Sequence, residues 1–256
     1  MEHEAADAEA FGQSVEVVTK ANDEGVPLKL LGGQAVRLLC PMYPHRARVD
    51  QDMDFASVSS AKRQVIEFLD GLGFQGDSRF NTLHGDRQMY FRTPDGKVSV
   101  DVIVDRLNMC HVLDFRPGYG RLPLTLDAID ILLSKLQIVE LNEKDARDTL
   151  QLLSGLPVGA SRGAASAPFL DTDRFGQLLA ADWGWWRTVT GNLDKLPALA
   201  ANSPHLVPVG ARYDPLAQAD HLAEVARSVP KGMKWKLRAN VGDRVRWYEL
   251  PEEVGH

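Results

Sequence analysis

Apolar positions recur at helical spacing at Phe11, Val15, Val18 and Ala21, and Asn22-Asp23-Glu24-Gly25 follows, so the pattern predicts an amphipathic helix ended by a glycine turn. Leu28-Lys29-Leu30-Leu31 then runs into Gly32-Gly33 and gives way to residues 34–40, which read as strand, glycine turn and a helix that stops near Pro41. Asp52-Met53-Asp54-Phe55 alternates polar with apolar, the signature of a half-buried strand. Behind a Ser59 or Ser60 cap, residues 61–72 place Val65, Ile66, Phe68, Leu69 and Leu72 on one helical side, with Gly71 and Gly73 at the end. Residues 86–105 carry the plainest hairpin: DRQMYFRT, a turn at Pro94-Asp95-Gly96, then KVSVDVIVD. In its second strand Val98, Val100, Val102 and Val104 face one way, so Ser99, Asp101, Ile103 and Asp105 face the other.

Downstream, residues 127–141 and 143–153 read as two helices. The Ser, Gly, Ala and Pro tract at 154–168 has the composition of a flexible linker and marks the expected boundary between a domain at 1–155 and a helical region at 169–256. That region holds Asp182-Trp-Gly-Trp-Trp-Arg187 and an apolar-periodic run at 216–229, and its last segment, KWKLRANVGDRVRWYEL, is expected to form a hairpin turned near Val241-Gly242-Asp243.

Composition narrows the class without naming a function. At 256 residues, 44% hydrophobic and 25% charged, the chain suits one or two soluble globular domains and excludes collagen-like or wholly disordered readings. A net charge of −6 argues against a protein that holds nucleic acid by bulk charge, though not against a local basic patch. Cys40 and Cys110 build no disulfide framework and show no zinc spacing. The acidic start MEHEAADAEA lacks a signal-peptide pattern and no apolar run is long enough to span a bilayer, so a cytoplasmic protein without membrane attachment is expected. There is no Walker loop and no GxGxxG, and His3-Glu4-Ala5-Ala6-Asp7 lacks the second histidine of a metalloprotease helix.

The chemistry concentrates on two strands. Residues i and i+2 of a strand share a face, so Asp52 and Asp54 lie side by side within about 7 Å. If the KVSVDVIVD strand lies beside them, Asp101 on its non-valine face completes a three-carboxylate cluster suited to Mg²⁺ with phosphate oxygens. Gly32-Gly33, where a strand meets a helix start, offers backbone N–H groups to a phosphate, and the carboxylates follow 19 residues after Gly33.

These residues resemble the nucleotidyltransferase superfamily, and within it the AbiEii-type toxin nucleotidyltransferases. Leu31-Gly32-Gly33-Gln34-Ala35 is similar to that family's first motif. Residues 48–55, Arg-Val-Asp-Gln-Asp-Met-Asp-Phe, resemble its Arg-x-Thr-x-Asp-h-Asp-h segment, where h is apolar, and Asp101 sits where the superfamily has its third carboxylate. Ser134-Lys135-Leu136 resembles the family's helical lysine motif, and Lys144-Asp145-Ala146-Arg147-Asp148-Thr149-Leu150 its Lys-Asp-x-x-Asp-Leu signature. The likeness spans about residues 10–155 and departs at Asp50, where the family has Thr or Ser.

The resemblance implies an α/β nucleotidyltransferase fold, a small mixed sheet flanked by helices, with a helical C-terminal region ending in a β-hairpin. It implies transfer of a nucleoside monophosphate from a nucleoside triphosphate with Mg²⁺ or Mn²⁺ as cofactor. Asp52, Asp54 and Asp101 would hold the metal, Lys135 would touch the triphosphate, and Gly32, Gly33, Gln34, Arg48, Asp145 and Asp148 would line the nucleotide site. The implied acceptor is RNA, particularly tRNA, and the implied partner an antitoxin protein. A small-molecule or protein acceptor, a non-catalytic nucleotide- or RNA-binding module of the same fold, and a DxD glycosyltransferase are the rivals.

Blander readings stand beside these. Alone, Lys135 reads as an exposed helix lysine, and Asp145 and Asp148 as a cap or an ion pair with Lys144 or Arg147. Trp183, Trp185 and Trp186 read as helix-packing residues before a base-stacking platform. The closing hairpin would carry Lys234, Lys236, Arg238, Arg244 and Arg246 on one face, either solvated or gripping RNA phosphates.

Overall fold

Of the predicted stripe, Val18 and Ala21 are buried in α1 (Glu2–Asp23) together with Val17, while Phe11 and Val15 are half-buried, and Gly25 turns the chain at φ +69° into β1 (Lys29–Leu30). The computed structural model describes residues 2–43, 52–161 and 167–250. Among these the chain forms two compact units, one within 1–38, 44–107 and 114–127, the other within 39–43, 108–113 and 128–256.

The first unit continues with α2 (Gly32–Leu39), β2 (Met53–Ser57), α3 (Lys62–Gly71), β3 (Gln75–Gly76), α4 (Ser78–His84), β4 (Gln88–Arg92) and β5 (Ser99–Val104). Its sheet has the order β1-β2-β5-β4-β3, antiparallel except where β2 runs parallel to β5. The hairpin expected at 86–105 is β4 and β5, joined through Gly96 at φ +70°. Strand alternation separates two faces. Met53, Phe55, Met89, Phe91, Val100 and Val102 lie on the inner face and are all but completely buried. At about 25 cal/mol per Å² of apolar surface, such full burial is worth about 1.5–3 kcal/mol for a Val, Met or Phe side chain, and it fixes the register. A slip of one residue would turn the aspartates inward. Sequence patterning does not announce α4, whose start is capped by Asp77 accepting from Phe80 N at 2.9 Å.

Two three-residue strands follow, β6 (Arg106–Asn108) and β7 (Val112–Asp114). The second unit is built on α5 (Ala128–Leu136) and α6 (Glu143–Gly155), the short parallel pair β8 (Val158–Gly159) and β9 (Leu170–Asp171), then α7 (Thr172–Ala181), α8 (Trp183–Asn202), α9 (Pro215–Ser228) and α10 (Met233–Val241). The tract 154–168 thus begins inside α6 and contains β8, and residues 162–166 lie outside the described part. Asn142, Asp171, Asp182 and Asp214 each accept backbone N–H bonds at the start of α6, α7, α8 and α9, an N-cap interaction worth about 1 kcal/mol apiece. Trp183 and Trp185 are buried, and the indoles of Trp185 and Trp186 donate to Val112 O and Ala226 O at 3.3 and 3.0 Å. The tryptophans therefore pack α8, in line with the blander reading.

The closing hairpin is not formed. Residues 233–241 are helix, and Gly242, at φ +59°, ends it. The alternation in KWKLR is only five residues long, too short to separate a two-residue period from a helical one, and Met, Lys, Leu, Arg and Ala are strong helix formers. Trp235 turns inward, donating its indole N–H to Leu179 O at 3.0 Å, while Met233, Leu237 and Val241 are exposed. Arg238 leaves the expected basic face: its guanidinium lies 4.4 Å from the Trp183 ring centroid and donates to Gly242 O and Val245 O.

His111 carries a pH prediction. It is 8% exposed, its Nε2 lies 2.8 Å from Thr188 Oγ1 and its ring 5.0 Å from that of Trp185. Burial pushes its pKa down from 6.5 to about 4, against the opposing pull of the Asp182 carboxylate. The unfolded chain takes up a proton below about pH 6.5 that the folded chain refuses until about pH 4. The stabilising effect of the neutral imidazole is therefore whole above pH 6.5 and is lost as pH falls toward 4, up to about 3 kcal/mol. Urea midpoints at pH 7 and 4.5 should converge for wild type and His111→Gln as pH falls. Parallel declines would dismiss the effect.

Candidate active site

The site in the first unit begins with a backbone requirement. Leu31 N donates to Asp54 O at 2.9 Å, so the chain leaving β1 is still bound to β2 where it turns into α2. It turns at Gly32 with φ +67°, a region L-residues avoid. A Cβ built there would lie 2.5 Å from Asp54 Oδ2, so glycine is needed both for the turn and for the closeness of the carboxylate. Gly33 and Gln34 follow in the first turn of α2, whose leading N–H groups lack intrahelical acceptors. Gln34 is 4% exposed. It donates Nε2 to Asp52 O at 3.3 Å, and its buried Oε1 has no hydrogen-bond partner.

The parallel pairing of β2 with β5 places Asp54 opposite Asp101, and both are half-buried on the outer face. Neighbouring strands lie about 4.8 Å apart, so two carboxylates from strands distant in sequence become neighbours. Asp52, just before β2, shares that face, and its Oδ1 accepts from Ser99 Oγ. Asp101 Oδ1 accepts from Gln88 Nε2 on β4. Among the described residues no three Asp, Glu, His or Cys side chains are gathered closely enough to hold a metal unaided. Arg48 and Asp50 lie outside the described residues.

In the second unit the structure brings Lys135, Asp145 and Asp148 together. Lys135 closes the last turn of α5, and its Nζ lies 3.4 Å from Asp145 Oδ1 and 2.7 Å from Asp148 Oδ2, with side-chain exposures of 7, 13 and 12%. The contact with Asp148 is a close ion pair outside hydrogen-bond alignment. Spacing of three on α6 turns both carboxylates to one side. Asn142 holds Asp145 further, donating Nδ2 to its Oδ2 at 2.8 Å and accepting from its N–H at 2.9 Å. Lys135 is therefore buried and ion-paired rather than exposed, and its partners are the two acids of the Lys-Asp-x-x-Asp-Leu segment rather than their own neighbours on α6.

Sequence reading passes over Ser99 and Gln88, which bear no charge and belong to no motif. Their signal was alternation: Ser99 shares the face of Asp101, and Gln88 sits in the partner strand of the hairpin.

Among the described residues no helix is long and apolar enough to cross a membrane. No protein-family description and no curated protein matches this chain. Among solved structures, the chain is similar to the crystal structure of an antigenic nucleotidyltransferase-like protein from Paracoccidioides brasiliensis, with a TM-score of 0.40, 14% identity, and coverage of 89% of this chain and 96% of that one.

Proposed function

We propose that this chain is a metal-dependent nucleotidyltransferase that moves a nucleoside monophosphate from a nucleoside triphosphate to RNA, with tRNA foremost, as the toxin of an AbiEii-type toxin–antitoxin pair. The observation that carries the transferase reading is the in-register pairing of Asp54 with Asp101 beside the positive-φ turn at Gly32. Mg²⁺ is bound through one or two carboxylates together with substrate phosphates, so Asp54 and Asp101 would suit it or Mn²⁺ beside a bound triphosphate, with Asp52 on the same face.

In the reaction an acceptor hydroxyl oxygen forms a bond to the α-phosphorus, the bond from that phosphorus to the bridging oxygen breaks, pyrophosphate leaves and the hydroxyl proton passes to solvent. A bound Mg²⁺ or Mn²⁺ supplies charge neutralisation and lowers the pKa of the acceptor hydroxyl. The chain's own part is to hold Asp54 and Asp101 together, to keep Gly32 clear of the Asp54 carboxylate, and to offer the N–H groups of Gly32, Gly33 and Gln34 to phosphate oxygens. Lys135, clamped by Asp145 and Asp148, is proposed as a triphosphate contact on the resemblance alone. RNA as acceptor draws support from the exposed basic side chains of Lys234, Lys236, Arg244 and Arg246 in a chain of net charge −6.

The test is incubation with each α-³²P-labelled triphosphate, Mg²⁺ and total RNA, lysate protein or an aminoglycoside panel. Label entering RNA, concentrated in tRNA and lost with EDTA, is expected. Label on protein or drug alone would reassign the acceptor. No label and no pyrophosphate in any mixture would reduce the chain to a binding module, and hydrolysis of nucleotide sugars instead would favour the glycosyltransferase.

A further inference from the structure

Two uncharged side chains donate into the carboxylate face, one to each flanking acid. Ser99, at the start of the central strand β5, gives its hydroxyl proton to Asp52 Oδ1. Gln88, at the start of β4, gives an amide proton to Asp101 Oδ1. An ionised carboxylate only accepts, which orients the Gln88 amide with its nitrogen toward Asp101.

Both donors rest on held backbone. Ser99 pairs with Arg92 and stands two residues before Asp101 on the same face, so its bond draws Asp52 from the edge of β2 toward the strand that bears Asp101. Gln88 is two residues from Tyr90, the residue opposite Asp101. Asn81 on α4 accepts from Tyr90 N at 2.7 Å and donates to Tyr90 O at 3.0 Å, pinning β4. A donor from each side thus fixes Asp52 and Asp101, the two acids that flank Asp54, with Asp101 directly opposite it across the strands.

We propose that Ser99 and Gln88 are positioning residues, which orient Asp52 and Asp101 for a divalent cation. This rests on the metal-dependent reading above. Groups behind metal ligands set ligand direction, and their loss weakens metal binding about 10–100-fold.

The experiment is calorimetric titration of the full chain with the Mn²⁺ complex of a non-hydrolysable nucleoside triphosphate, against the same titration in EDTA, for wild type, Ser99→Ala, Ser99→Thr and Gln88→Leu, with melting temperatures in parallel. Expected are affinities lower by about ten- to a hundredfold for Ser99→Ala and for Gln88→Leu, and near wild type for Ser99→Thr, which keeps the hydroxyl. Melting temperatures without cation should stay near wild type; if one variant unfolds, the other decides. Wild-type affinity in both loss variants would overturn the positioning role and leave the transferase reading standing. Absence of Mn²⁺-dependent binding of the triphosphate by the wild type would overturn both.

Discussion

Replacing Asp54 by Asn should lower nucleotidyl transfer about a thousandfold or more while leaving the unfolding midpoint in urea unchanged or slightly raised. On the proposed reaction, the activity loss follows from removing one of two carboxylates that would hold the cation, whose charge neutralisation is worth several kcal/mol, with each 1.36 kcal/mol worth tenfold. The stability change has the opposite sign because Asp54 faces Asp101 across β2 and β5, and like charges directly opposite cost about 0.2–1 kcal/mol. Asn keeps the shape and one acceptor oxygen. Lost activity with preserved or improved stability is the outcome expected of a site held together against its own repulsion. Asp70→Asn, on the exposed side of α3, is the matched control and should keep its activity. Retention of more than about a tenth of wild-type transfer by Asp54→Asn would remove the carboxylate pair from the mechanism.

The second large effect lies in the other unit. Lys135→Met should destabilise the protein by about 3–5 kcal/mol, because it strips the counter-charge from Asp145 and Asp148 while both remain buried. Removing one partner of a buried cluster costs more than removing all of it. The triple variant Lys135→Met, Asp145→Asn, Asp148→Asn should accordingly recover much of the loss. Chemical denaturation of the single and triple variants measures both numbers. A cost below about 1 kcal/mol for Lys135→Met would mean that the cluster is solvated after all.

The sheet was legible because burial and alternation tell the same story there. The valines at 98, 100, 102 and 104 could only face a core, which turned Asp101 to the outer face, and Met53 and Phe55 did the same for Asp52 and Asp54. Parallel pairing of the two strands was the step beyond pattern, and the order β1-β2-β5-β4-β3 supplies it. The clamp around Lys135 was half legible. Spacing put Asp145 and Asp148 on one side of α6, but a pairing between two helices leaves no periodic trace. The closing segment misled because each of its two alternating runs is too short to separate a two-residue period from a helical one, whereas Gly242 was as good a helix stop as a turn. Ser99 and Gln88 escaped because hydrogen-bond donors without charge are common on any strand, and only register says which carboxylate they meet.

The parallel union of β2 and β5 also sets when the site comes into being. Its aspartates are 47 residues apart, and α3, β3, α4 and β4 must be threaded between them before the strands can join. The β4–β5 hairpin closes over a short loop, while the parallel contact must first meet the entropy of a much longer one. We therefore expect the hairpin to act as a template onto which β2 docks late. Repulsion between Asp54 and Asp101 then falls on the last steps of folding, so neutralising one of them should mainly slow unfolding and leave the refolding rate almost untouched.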